Sequence, residues 1–114
     1  MSDRILKVNE LLKQEAGAAI ARELEMPHGV LATITRVDAQ ADLKTAKIFV
    51  RVYPEDHSAG ALDYLRKNAG ALQSALNHRL AMNFVPRISF YIDKGKEGVP
   101  TAEEEVEAIL DSLK

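Results

Sequence analysis

Few side chains in this sequence stand where bond-making chemistry would need them. His28, His57 and His78 fall in separate segments, and none has histidine, aspartate or glutamate neighbours at metal-ligand spacing. Cysteine is absent, which excludes a thiolate ligand, a thiol nucleophile and a disulfide framework. No serine stands in the strand-to-helix elbow that presents a nucleophile. Gly95 and Gly98 follow a strand-like run, but without the lysine and hydroxyl residue of a phosphate loop. Asp38 and Asp42 flank a short polar turn, where aspartate serves the local backbone more readily than acid–base catalysis. The residues therefore argue against an enzyme and lead to the expectation of no catalytic residue, no metal, no cofactor and no small-molecule substrate.

One segment could hold a phosphate. Arg66-Lys67-Asn68-Ala69-Gly70-Ala71 interrupts an apolar pattern that is otherwise helical through Leu62, Leu65, Leu72, Leu76 and Leu80. One reading is a single bent helix in which Gly70 admits a neighbouring side chain. The other is an exposed junction between two short helices, where the second offers its first N–H groups to an anion.

The elements around this segment follow from periodicity. Ser2 or Asp3 suits the N-cap of a first helix whose stripe is Ile5, Val8, Leu12, Ala16, Ala19 and Ile20. Gly17 within it suggests close packing against a sheet. Met26-Pro27-His28-Gly29 ends the helix, and a first strand is expected from about Val30 to Val37. Its two faces compete; Ala32 and Ile34 are taken as the inward pair. In the second strand Ala46, Ile48, Val50 and Val52 alternate with Lys47, Phe49, Arg51 and Tyr53. Pro54 closes it, and Ser58 can cap the next helix. Val85-Pro86 leads into a third strand, Ile88, Phe90 and Ile92 against Arg87, Ser89 and Tyr91, with proline suited to a strand's first residue or an edge. Thr101 and Glu104 are in capping-box register ahead of Val106, Ile109, Leu110 and Leu113, an amphipathic C-terminal helix. The expected order is α-β-β-α-α-β-α.

Charge is unevenly distributed. The net charge of −2 over 114 residues conceals an acidic end, where Glu103, Glu104, Glu105, Glu107 and Asp111 oppose only Lys114. Without that end the chain holds 14 basic against 12 acidic side chains, a mildly basic balance that permits a nucleic-acid partner without requiring one. The longest apolar run, Ala18 to Ala21, cannot span a bilayer. The N-terminus lacks the apolar core of a secretory signal. These features lead to the expectation of a cytoplasmic protein without membrane association, divided into a domain of residues 1–98 and an acidic helix of residues 99–114.

Three stretches taken together resemble the ribosome-binding factor A (RbfA) family: Thr35-Arg36-Val37, the turn and strand from Asp42 to Val50, and Val85 to Asp93. The first helix, with Arg4, Val8 and Arg22-Glu23-Leu24, is similar as well. The resemblance implies an α+β fold of the KH-like type II kind, α-β-β-α-α-β, with a three-stranded sheet, a kinked helix pair and here an added C-terminal helix. It also implies a kink motif in which Asn68-Ala69-Gly70 stands where the family carries Ala-x-Gly. The implied function is binding to the free small (30S) ribosomal subunit and its rRNA, promoting late rRNA maturation and processing without catalysis. Adaptation to cold is implied with it.

Such a protein acts by phosphate contacts and shape. The candidate RNA-binding residues are Arg66, Lys67, Asn68, Gly70, Gln73, Asn77 and Arg79 around the kink, Arg4 and Lys7 on the first helix, and Lys47 and Arg51 on the sheet. For each, a solvated surface group is the competing reading. A monomer is expected. The alternative function is a protein-interaction module, in which Phe49, Tyr53 and Tyr91 on the sheet pair with a partner or a second copy.

Overall fold

The structure, a computed structural model, describes residues 3–94. Its elements run α1 (Asp3–Glu23), β1 (Leu31–Ala39), β2 (Thr45–Tyr53), a 3-10 turn (Glu55–His57), α2 (Ser58–Lys67), α3 (Ala69–Arg79) and β3 (Arg87–Ile92). This is the expected order up to β3. The expected C-terminal helix and the boundary at 98/99 lie outside the described residues.

The sheet is ordered β1-β2-β3. β1 and β2 pair antiparallel across a short turn, whereas β2 and β3 pair parallel. Parallel strands need a long crossover, and α2 and α3 supply it. The alternation in β2 sets the inward face: Ala46, Ile48, Val50 and Val52 are at most 3% exposed. They meet Val8, Leu12, Ala16, Ala19 and Ile20 of α1, Leu65 of α2, and Leu72 and Leu76 of α3 in one core. Gly17 does not mark the close approach, since a Cβ there would meet nothing within 4 Å. Ala16 and Ala19, both buried, occupy that position. Gly29, at φ +83°, turns the chain into β1 through the left-handed region that glycine tolerates.

β1 explains why its sequence pattern has two competing faces. It runs to Ala39, beyond the expected Val37, and its pairing passes from Ile34 opposite Val50 to Arg36 opposite Phe49, leaving Thr35 unpaired. This bulge shifts the alternation by one residue. Ala32 and Ile34 are therefore the half-buried inward pair before it, and Val37 and Ala39 the buried pair after it.

The helical interruption is a true break, located at Asn68. Asn68 ends α2 and precedes α3 with φ −103° and ψ 11°. Gly70 lies inside α3, exposed, and a Cβ there would meet nothing within 4 Å. It neither admits a neighbour nor requires a glycine-only conformation. Ser58 is the first residue of α2 rather than its cap, a position taken by His57 without a capping side chain.

Candidate RNA-binding surface

The outer face of the sheet, opposite the helices, carries a row of rings and cations. Arg36 lies over the Phe49 ring at 4.1 Å, and Phe49 meets Tyr91 at 5.7 Å between ring centroids. Lys47 Nζ stands 5.5 Å from the Tyr91 ring and the Arg66 guanidinium 5.6 Å from it. Phe49 is only 7% exposed although its strand position faces outward, because its neighbours cover it. The face therefore presents the cations more than the aromatic ring beneath them. Arg51 continues the row on β2, opposite Thr33.

Arg66 joins this face to the helix junction. Its Nε and Nη2 donate to the Phe90 carbonyl at 3.2 and 2.8 Å, so the side chain wraps the outer edge of β3. Gln73 covers the same edge one step earlier: its Nε2 donates to the Pro86 carbonyl and its Oε1 accepts from the Ile88 N–H. An edge strand left open is a template for unwanted pairing, and these two side chains fill that position.

At the break, Asn68 Nδ2 donates back to the Tyr64 carbonyl at 2.8 Å, a second bond to an oxygen that the Asn68 N–H also reaches. No side chain caps the start of α3, where Gly70 and Ala71 are exposed. Lys67 pairs with Asp63 one turn earlier at 3.0 Å, both side chains well exposed.

The structure thus gathers Lys47, Arg51, Arg66, Lys67, Asn68 and Gly70 along a path from the sheet's outer face to the junction. Gln73 and Asn77, bonded to each other at 3.2 Å, sit at the β3 edge. Arg79 is drawn away toward α1 by Glu15 at 3.3 Å. Arg4 and Lys7 are exposed on α1, and Arg4 lines a separate cleft with Lys44, Met82 and Phe84. Arg36 belongs to the cationic row although strict alternation from Ala32 and Ile34 would turn it inward. Only the bulge at Thr35 brings it out.

Among the described residues no group of three histidine, aspartate or glutamate side chains could hold a metal ion, and no helix is long and apolar enough to cross a membrane. A mixed three-stranded sheet crossed by a broken helix pair, with helices on one face and cations on the other, defines a KH-like domain of type II. The chain belongs to the ribosome-binding factor A family, whose model matches residues 4–110. It is 38% identical over 93 residues to ribosome-binding factor A of Akkermansia muciniphila, covering 82% of this chain and 74% of the relative. The crystal structure of ribosome-binding factor A from Thermus thermophilus superposes with a TM-score of 0.70 at 26% identity, covering 81% of this chain and 98% of that one. A homology-built T. thermophilus ribosome-binding factor A, fitted into a cryo-EM map of a complex with the 30S subunit, is similar with a TM-score of 0.63 at 29% identity, covering 73% and 88%.

Proposed function

We propose that this protein binds the free small ribosomal subunit in the cytoplasm, as a monomer, and promotes late maturation and processing of its rRNA by binding rather than by bond-making. The observation that carries this reading is the family match over residues 4–110, together with a relative fitted on the 30S subunit. The cationic row and the uncapped start of α3 support it, because structured RNA is held mainly through phosphates and shape. Arg36, Lys47, Arg51, Arg66 and Lys67 are the side chains that would meet phosphate. The direct test is sedimentation of cell lysate: the protein travels with free small subunits and leaves complete ribosomes empty. Co-sedimentation with neither, or equally with both, removes the proposal. In a deletion strain, unprocessed small-subunit rRNA accumulates, most visibly in the cold, where misfolded RNA escapes slowly.

A second reading rests on one pair. Leu31 and Tyr53 face each other across β1 and β2 and are 63% and 72% exposed. An exposed apolar pair of this kind suits a protein partner or a second copy. Salt separates the readings: phosphate-mediated binding weakens steeply with ionic strength, whereas an interface centred on Leu31 and Tyr53 responds little.

A further inference from the structure

A cleft of about 470 Å³ is lined by none of the side chains of the cationic row or the junction. It is formed by the N-terminal turn of α1, the β1–β2 turn and the segment between α3 and β3, with Arg4, Asp42, Leu43, Lys44, Asn83 and Phe84 among its lining. Its size falls within the range of small-ligand sites, roughly 300–1,000 Å³.

Three features give the cleft a chemical character. Phe84 is 65% exposed, so its ring is presented to whatever enters. Arg4 and Lys44, both exposed, form no ion pair with any described residue, so the lining holds two cations against the one carboxylate of Asp42. Asp42 and Asn83 add an acceptor and a mixed donor–acceptor, the groups that read the edge of a base. A lone exposed phenylalanine needs no explanation. An exposed ring sharing one cleft with two cations, an amide and a carboxylate matches an unpaired base and its phosphate.

The walls are also held in place. Leu43 takes a left-handed conformation, φ 59°, unusual for a branched side chain. Its N–H donates to the Gln40 carbonyl, the Lys44 N–H donates to Asp42 Oδ1, and the Lys44 carbonyl accepts from the Arg87 N–H. On α1, Asn9 Oδ1 accepts from the Ala39 N–H at 2.8 Å, fixing the helix that carries Arg4 against the strand leading into the turn. Lys44 and Arg4 are thereby carried on backbone of fixed geometry.

We infer that this cleft is a binding site for one single-stranded RNA nucleotide, its base stacked on Phe84 and its phosphate between Arg4 and Lys44. The site deepens the RNA-binding reading and rests on it, adding a base contact outside the cationic row.

The test titrates the full-length protein with the four nucleoside 5′-monophosphates and follows backbone amide resonances, with ribose 5-phosphate and inorganic phosphate as controls. Nucleotides shift the amides of residues 41–44 and 82–84 in the millimolar range, and the two controls shift them far less. Phe84→Leu weakens nucleotide binding by on the order of tenfold, as expected for one lost stacking contact, and Phe84→Tyr restores it. The fold should tolerate both changes, because the side chain is mostly exposed. No nucleotide-dependent shift at these amides overturns the site. Equal responses to nucleotide and inorganic phosphate also overturn it, leaving only an anion patch. The outcome is separable from the family reading. If the parent binds nucleotides here but does not sediment with small subunits, the site stands and the assembly role falls. If it sediments with small subunits while nucleotides leave this cleft unmoved, the role stands and the site falls.

Discussion

The carboxamide of Gln73 occupies the position of a missing strand beside Ile88. Its Oε1 accepts from the Ile88 N–H at 2.9 Å while its Nε2 donates to the Pro86 carbonyl at 3.0 Å. A neighbouring strand would offer that acceptor and donor from its backbone, and here one side chain of α3 supplies both. By sequence Gln73 is an RNA-contact candidate, and this geometry gives it a structural task that engages both ends of its amide.

Gln73→Leu therefore destabilises the fold by about 1–3 kcal/mol, the cost of leaving a partly buried backbone group without a partner. Chemical denaturation measures it. Gln73→Glu keeps the acceptor for Ile88 but loses the donor to Pro86, and falls between parent and leucine variant. A leucine variant as stable as the parent would show that the β3 edge needs no side-chain partner.

Thr35, the unpaired residue of the β1 bulge, has a second role. Its Oγ1 bonds Asp93 Oδ2 at 2.6 Å, linking the bulge to the chain just past β3. Thr35→Val keeps the shape and removes the hydroxyl, so it costs about 1–2 kcal/mol. Hydrogen exchange locates the effect: the Asp93 N–H, which donates to the Val50 carbonyl at 2.7 Å, exchanges faster in the variant. Unchanged exchange there would mean that this link does not hold the end of β3.

Much of this architecture is legible in the residues. The alternation from Ala46 to Val52 gives β2 and its buried face, and the stripe from Ile5 to Ile20 gives α1. β1 is half legible, because a pattern of period two cannot show the residue at which a bulge reverses its faces. Reading Ala32 and Ile34 as inward is correct up to Thr35, and it conceals Arg36. The tasks of Arg66 and Gln73 at the β3 edge are not legible at all. Each is a contact between segments far apart in sequence, and a side chain's local pattern does not reveal which carbonyl it will reach. Asparagine and glycine together mark the interruption in the sequence, and propensity alone does not say which of the two takes the break. The chain breaks at Asn68, where the side-chain amide returns to the Tyr64 carbonyl that the Asn68 N–H also reaches.

The break at Asn68 decides what substitution at Gly70 does. With helical surroundings and open space around its Cα, Gly70→Ala stabilises α3 by up to about 1 kcal/mol, readable as a raised denaturation midpoint. Gly70→Val is tolerated as well, gaining less because a β-branched residue loses side-chain freedom in a helix. Strong destabilisation by valine would show that the position is closed or left-handed after all. With the fold intact, a valine variant also tests the α3 start as a phosphate site, since its branched side chain crowds the uncapped N–H groups. Small-subunit binding then falls, and parent-like binding would remove the α3 start from the interface.

The last prediction separates cations by what already neutralises them. Lys47 lies over the Tyr91 ring, and Lys67 shares an exposed pair with Asp63 that water and salt screen strongly. Arg79 instead bonds Glu15, whose side chain is only 27% exposed, and it points away from the cationic row. If small subunits bind along the sheet face and junction, Lys47→Gln and Lys67→Gln each make the slope of log affinity against log salt shallower by roughly 0.7–0.9, the value for one lost phosphate contact. Arg79→Gln leaves the slope unchanged, although it costs some stability through Glu15. Arg66→Ala does both, because the same guanidinium holds the Phe90 carbonyl and faces Tyr91. Slope measurements over a salt series, made on variants whose folding has been checked, decide the matter. A slope that changes with Arg79 and not with Lys47 or Lys67 would move the RNA interface from the sheet face and junction to the α1–α3 side of the molecule.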